Sequence, residues 1–310
     1  MGLIPIQGGP SAPLFFFSQS KIILDNAYAI KYNVIMNKLT KEKQRQVVAA
    51  LVEGTSIRAT CRQTGVAKNT VIKLLVDLGK ACAEYQDKTL RNLTCSKIQV
   101  DEIWAFVYAK EKNVPKDKEG QFGYGNVWTF TAIDAESKLI PTWHIGNRDI
   151  KDATIFMKDL AGRLKNKVQL TTDGHKMYLE AVEDAFGSEI DFSQLIKIYG
   201  STEESQKRYS PAQCIGTEKI KINGNPENES ISTSFVERQN LTMRMNMRRF
   251  TRLTNGFSKK VLNLFYAESL YFMYYNFVRI HQTLRMTPAM KAGVTDRLWD
   301  IEDILSLLGF

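Results

Sequence analysis

The sequence predicts an α/β protein, a mixed sheet flanked by helices, preceded by a small all-α segment. Two observations predict it. Residues 40–85 carry apolar side chains at helical spacing, broken only by short polar turns. From Ile98 the pattern changes to three β-like runs in succession, then to helices and strands in alternation, the order expected of a mixed sheet covered by helices.

Residues 1–35 stand apart. They are rich in Gly, Pro and Ser, then apolar, with no helical period, and the short run Leu14-Phe15-Phe16-Phe17 has no basic stretch before it to make a signal peptide. Met36 opens the first patterned segment, and translation is expected to begin there. No stretch of about 18 apolar residues indicates a membrane span.

Residues 36–90 are expected to form a helix-turn-helix domain. A first helix near Lys41–Glu53 sets Val47, Val48 and Leu51 on one face, and Gly54 ends it. Thr55 or Ser56 caps a second helix that runs through Cys61 to Thr64, and Gly65-Val66-Ala67 makes a tight turn. A third helix starts near Asn69 or Thr70 and carries Val71, Leu74, Leu75 and Leu78. In that motif the last helix enters the major groove, so Lys68, Asn69, Thr70 and Lys73 are the residues expected to face DNA.

The strands follow at Ile98–Ala109, Val127–Asp134 and Leu139–Ile145, a meander with a polar turn from Asp134 to Lys138. A helix at Asp152–Leu164, a strand at Val168–Thr172, a helix at His175–Phe186 and a strand at Gln194–Tyr199 complete the alternation. Residues 200–229 read as a polar, turn-rich insertion, and long helices resume at Ser232–Arg249 and Lys259–Ile280.

Charge points to a polyanionic partner. The net charge is +9, and it is concentrated: residues 36–80 hold nine Lys or Arg against three acids, and Arg238–Lys260 hold seven bases and no acid. Cysteines 61, 82, 95 and 214 form no C-x-x-C pair, which speaks against a zinc site or a disulfide framework and fits a reducing cytoplasm.

Three acids stand where regular elements bring them toward one place. Asp101 lies inside the first strand, Asp173 closes the fourth before Gly174, and Glu237 sits on the basic helix. Carboxylates on separate elements suit hard divalent cations, and two such ions activate the attacking oxygen and stabilise the leaving one in phosphoryl transfer. Each acid taken singly also has a structural explanation: a salt bridge for Asp101, a helix cap for Asp173, an arginine partner for Glu237. Strand alternation sends Glu102 to the face opposite Asp101, so it is read as structural or supporting. Asp134 is read as a turn residue, Trp104 and Trp128 as core, with a tryptophan beside Asp101 also placed to line the site, and Phe265, Tyr266, Leu270, Phe272, Met273 and Phe277 as core or a dimer contact.

The stretches Val100-Asp101-Glu102-Ile103-Trp104, Thr172-Asp173-Gly174 and Phe235-Val236-Glu237-Arg238-Gln239-Asn240, continuing to Arg244, Arg248-Arg249 and Arg252, resemble the DDE transposases with an RNase H-like fold. Among these the closest resemblance is to the insertion-sequence-one (IS-one) family, and it covers residues 40–295. It implies that Asp101, Asp173 and Glu237 are catalytic and hold two Mg2+ or Mn2+ ions per active site. It implies an RNase H-like catalytic domain at 97–250, with the insertion at 200–229, and a C-terminal helical extension at 251–310. Double-stranded DNA is the implied partner, both as terminal inverted repeats and as target, in a homo-oligomer near the nucleoid of a prokaryotic cytoplasm. Arg238, Arg244, Arg248 and Arg249 would track phosphate, with Arg244 two helical turns after Glu237 and on its face. The sequence departs from the family in lacking a cysteine-rich, zinc-ribbon-like segment before the helix-turn-helix. Two other readings stay open, a catalytically inactive DNA-binding repressor and a general RNase H-like nuclease.

Overall fold

The computed structural model describes residues 39–200, 214–251 and 254–309. The leader expected at 1–35 and the start expected at Met36 lie outside them, as do residues 201–213 of the expected insertion.

Three helices come first. Thr40 caps α1 (Lys41–Val52) by accepting from Lys43 N, and Ser56 caps α2 (Ile57–Thr64) through Ala59 N. Gly65 ends α2 in the left-handed region at φ +71°, a conformation costly for any residue with a Cβ, and the chain turns directly into α3 (Lys68–Thr89). The apolar stripe of α3 packs Val71, Leu75 and Leu78 against Val47 and Val48 of α1. Further along, Gly79 lets α3 approach α7 (Val261–Met273) so closely that an added Cβ would lie 2.4 Å from Tyr266 Cβ.

The sheet has six strands: β1 (Lys97–Val107), β2 (Gly125–Asp134), β3 (Trp143–Gly146), β4 (Gln169–Asp173), β5 (Asp191–Tyr199) and β6 (Cys214–Asn223), in the order β3-β2-β1-β4-β5-β6. The β1–β2 and β2–β3 pairs are antiparallel, β1–β4 and β4–β5 are parallel, and β5–β6 is antiparallel again. This mixed sheet flanked by helices is compatible with an RNase H-like fold.

Alternation along the strands sorts their side chains onto two faces. Ile98, Val100, Phe130 and Leu170 meet α4 (Ile150–Ala161) and α5 (Met177–Phe186) through Phe156 and Tyr178. Ile103, Ala105 and Val127 meet α6 (Ser234–Asn246) and α7 through Val236, Met243 and Phe272. Leu270, Met273 and Phe277 turn the other way and join the cluster of α1, α3 and α8 (Ile301–Ser306), so these aromatic and aliphatic residues are core. Arg163, 1% exposed, ties the end of α4 to the end of α3 through Asp87, Asp159 and the Leu90 carbonyl. No helix of the described residues is long and apolar enough to cross a membrane.

Several expected boundaries move, each for a physical reason. The strand expected from Leu139 begins only at Trp143, because the Asn276 side chain takes both Ile140 N and Ile140 O and Pro141 has no N–H to give. Part of the expected insertion is a strand, β6, held to β5 by backbone pairing although most of its residues are exposed. The helix expected to reach Arg249 stops at Asn246, where Met247 turns extended before a short 3-10 turn at Arg248–Phe250. The last long helix ends at Met273 and passes into a wider π turn over Tyr274–Val278, closed by Arg279 N to Tyr274 O.

Candidate active site

The parallel pairing of β1 with β4 runs from Lys97↔Gln169 to Gln99↔Thr171. Two further residues on each strand bring Asp101 level with Asp173, where β4 ends. Past that point β1 has lost its neighbour, and acids from both its faces reach the gap. One carboxylate oxygen each from Asp101, Glu102 and Asp173 lie within 4.8 Å of one another.

Asp101 is fixed at both oxygens. Oδ1 accepts from Glu102 N at 2.9 Å, and Oδ2 accepts from Asn240 Nδ2 at 2.8 Å. Burial pushes its carboxyl up to about 7, and the charges of Glu102, Asp173 and Glu237 push the same way. A group of acids so placed attracts a cation, and an all-oxygen donor set fits a hard divalent ion such as Mg2+ or Mn2+.

Asp173 opens the turn after β4 and accepts from His175 N at 3.1 Å. The glycine that follows it lies against Ile196 of β5, 2.8 Å from where its Cβ would stand, so a side chain there would force the turn away from the sheet.

Glu237 comes from the first turn of α6. Thr233 donates to one of its oxygens, and Lys197 of β5 donates to the other. What places α6 is a residue of β1: Gln99 Oε1 accepts from Phe235 N at 2.8 Å and from Val236 N at 3.2 Å, satisfying two N–H groups of the first turn. Gln99 and Asp101 lie two apart on one face of β1, and both bond to α6.

Glu102 points to the opposite face, as alternation demands, and its side chain is fully buried. Tyr178 OH donates to Oε2 at 2.7 Å, and Arg148 Nε donates to Oε1. Both oxygens are therefore occupied by protein groups. Asp134 accepts from Ser137 N and Ser137 Oγ, which is turn chemistry.

Trp104 and Trp128 are half-buried, and Trp128 packs against the core on the α4 and α5 side. Trp128 carries the Arg148 guanidinium 4.7 Å from its ring centroid, and Trp104 lines a pocket with Lys110, Lys112, Asn126 and Arg244. Their strand positions lie past the end of β4, where little covers them.

The basic residues divide. Lys68, Asn69, Thr70 and Lys73 are all exposed at the start of α3, with Lys73 paired to Asp77 at 2.6 Å. Arg238 and Arg248 are exposed. Arg244 is in the pocket beside Trp104. Arg249 is turned inward instead of toward a phosphate: it donates to Ser258 Oγ, and burial pulls its pKa down to about 10. The early end of α6 causes this, since Met247 turns extended and the 3-10 turn at Arg248–Phe250 does not continue the helix axis.

Sequence reasoning passed over Asn240, Gln99, Thr233, Lys197 and Arg148. Asn240 had a signal, one turn after Glu237 on the same helix face, and Gln99 had one in the period of β1. Arg148 had none, since 46 residues separate it from the Glu102 it contacts.

The chain matches no protein-family model and no curated protein. Among solved structures, the crystal structure of the Mos1 strand transfer complex is similar over 78% of this chain and 78% of that chain, with 11% sequence identity and a TM-score of 0.23. At that level of likeness, the fold rests on the sheet order described above.

Proposed function

We propose that this chain is a transposase of the DDE type, which cuts and joins DNA by metal-dependent phosphoryl transfer. The observation that carries the reading is the meeting of Asp101, Glu102 and Asp173 at the end of β4, with Glu237 of α6 close enough to act on Asp101. Asp101, Asp173 and Glu237 would hold the ions, which is the assignment the insertion-sequence-one resemblance implies. Glu102 is left out because its side chain is fully buried on the other face of β1, held by Tyr178 and Arg148, while those of Asp173 and Glu237 are part-exposed.

Bound there, two divalent ions supply charge neutralisation for the attacking and leaving oxygens of an in-line displacement. In that displacement a water or a DNA 3′-hydroxyl forms the new P–O bond, and the old 3′-oxygen leaves with the electron pair. Asn240 orients the Asp101 carboxylate, and Thr233 orients that of Glu237. Gln99 keeps α6 seated on β1, which holds Glu237 on the side of the sheet that Asp101 faces.

The exposed start of α3, with Lys68, Asn69, Thr70 and Lys73, would enter the major groove as the helix-turn-helix resemblance implies. Arg238 and Arg248 are available to phosphates on the same reading, and Arg244 meets the strand within the Trp104 pocket. Arg249 has no part in it.

The test uses the purified chain, a duplex bearing the sequences that flank the gene, and Mg2+ or Mn2+. Wild type is expected to cut and join the duplex. Asp101→Asn, Asp173→Asn and Glu237→Gln are expected to bind it equally and do neither. Binding without metal-dependent strand breaks in wild type would replace the enzyme with a repressor. Cutting without joining would leave a nuclease.

A further inference from the structure

We propose that Arg148 is a phosphate-positioning residue of this site, holding its guanidinium against a non-bridging oxygen of the DNA phosphate on which the acids act. The inference rests on the reading of the site as a DNA-processing centre.

Arg148 is held in place from several sides. Its Nε donates to Glu102, whose other oxygen is held by Tyr178, and its guanidinium carbon lies over the Trp128 ring, 4.7 Å from the centroid. Its backbone sits in a loop that Asp152 ties down: His144 Nε2 bonds Asp152 Oδ1, Asn147 N donates to Asp152 Oδ2, and Asp152 N donates to Asp149 Oδ1, each within 2.9 Å. Arginine carries five N–H donors. Here Nε is used, while Nη2 stands 3.7 Å from Asp173 Oδ2, an ionic approach longer than a hydrogen bond. Among the described residues no hydrogen bond takes the Nη donors, so the end of the side chain that faces the gap keeps its capacity for a doubly bonded anion.

Burial shows which way the pair works. The Glu102 side chain is 0% exposed and the Arg148 side chain 36% exposed. Burying a carboxylate is costly, and an apolar residue would fill the same space without that cost. A salt bridge made for stability alone would enclose both partners. What this arrangement achieves is a guanidinium held rigidly at the surface, beside Asp173 and open on one side. The acids need divalent cations before a phosphate can approach, and Arg148 adds positive charge in a fixed direction at that same edge. Lysine in its place would keep the charge but lose the guanidinium's contact with the Trp128 ring and the paired donors.

The test is equilibrium binding of the full chain to a fluorescent duplex containing the phosphate at which wild type cuts, mapped first with Mg2+. Binding is measured with Ca2+ as a non-cutting ion, by anisotropy, on two duplexes: the native one, and one in which that single phosphate is an uncharged methylphosphonate. Arg148→Gln is expected to weaken binding to the native duplex about tenfold, the worth of one charge-assisted hydrogen bond. On the methylphosphonate duplex it is expected to bind as wild type does, and Arg148→Lys is expected to fall between. The double variant Glu102→Gln/Arg148→Gln, which leaves no charge buried, keeps the test valid where the single variant does not fold, and the same pattern is expected of it. A wild type that cuts the native duplex while Arg148→Gln loses nothing, or loses equally on both duplexes, overturns this inference alone. A wild type that neither binds nor cuts overturns the functional reading with it.

Discussion

Asn240 on α6 gives a side-chain N–H to Asp101 on β1 at 2.8 Å, and no other side-chain bond among the described residues reaches that carboxylate. The amide therefore sets which way Asp101 presents its free lone pairs. Groups that orient a metal ligand are commonly worth about 10–100-fold in metal affinity. Asn240→Ala is expected to weaken Mn2+ binding by about that factor, measured by titration calorimetry without DNA, with little change in melting temperature. Asn240→Asp should do worse, because it adds a like charge to the cluster. Equal Mn2+ affinity in wild type and Asn240→Ala would mean that Asp101 needs no orientation.

Gln99 has a separate task, and its loss should be read first as stability. Its Oε1 accepts two N–H groups at the start of α6 in a place only 3% exposed, where water does not replace it. Gln99→Leu is expected to cost about 1–2 kcal/mol in urea unfolding, the range for a lost helix cap. Cleavage should fall further than this stability loss explains, because Glu237 moves with the helix. Cleavage equal to wild type at full occupancy of folded protein would detach Glu237 from Gln99.

Why were the acids legible in the sequence, when Arg148 and β6 were not? Asp101 sits in a β-like run, Asp173 ends a short β-like run before a glycine, and Glu237 opens a helix, so local pattern alone puts each on its element. Ser56 and Gly65 likewise announce the ends of α2. β6 has no buried face: Ile215 is 67% exposed and Ile222 is 42% exposed, so no apolar alternation marks what backbone pairing creates. The end of α6 was hidden because no Gly or Pro interrupts 244–250. Its consequence, the inward turn of Arg249, was hidden with it. Arg148 acquires meaning only from Glu102 and Trp128, partners that the fold supplies and the local sequence does not.

The three helices at the front carry a prediction of their own. Lys68 and Lys73 are exposed at the start of α3, and Lys73 already has Asp77 as a partner. If they contact phosphate, Lys68→Ala should reduce the slope of log affinity against log salt by about 1, and Lys73→Ala by less, since Asp77 already neutralises part of the Lys73 charge. Asn69→Ala should leave the slope alone and relax the choice of sequence, as expected of a residue that reads base edges. Unchanged slopes for both lysine variants would move the DNA contact away from α3.

Glu268 gives the pH dependence. It is 0% exposed on α7, where its Oε1 accepts from Thr129 Oγ1 at 3.0 Å. Burial pushes its carboxyl well above the usual range, and the hydrogen bond from Thr129 and the charge of Arg249 oppose this without overcoming it. In the unfolded chain the group ionises near its ordinary value of 4.5, while the folded chain keeps the proton. The folded state then binds more protons, so stability falls as pH rises from the unfolded value toward the folded one, by up to about 1.4 kcal/mol per pH unit. Below the unfolded value both states are protonated and the effect vanishes. Glu268→Gln removes the titration and keeps an acceptor for Thr129, at the expense of a constant offset for its amide. The melting temperature of Glu268→Gln relative to wild type is therefore expected to be level at pH 3–4 and to climb steadily through neutrality. Parallel melting curves across that window would mean that the buried carboxyl is ionised in the folded protein and that Arg249 balances it.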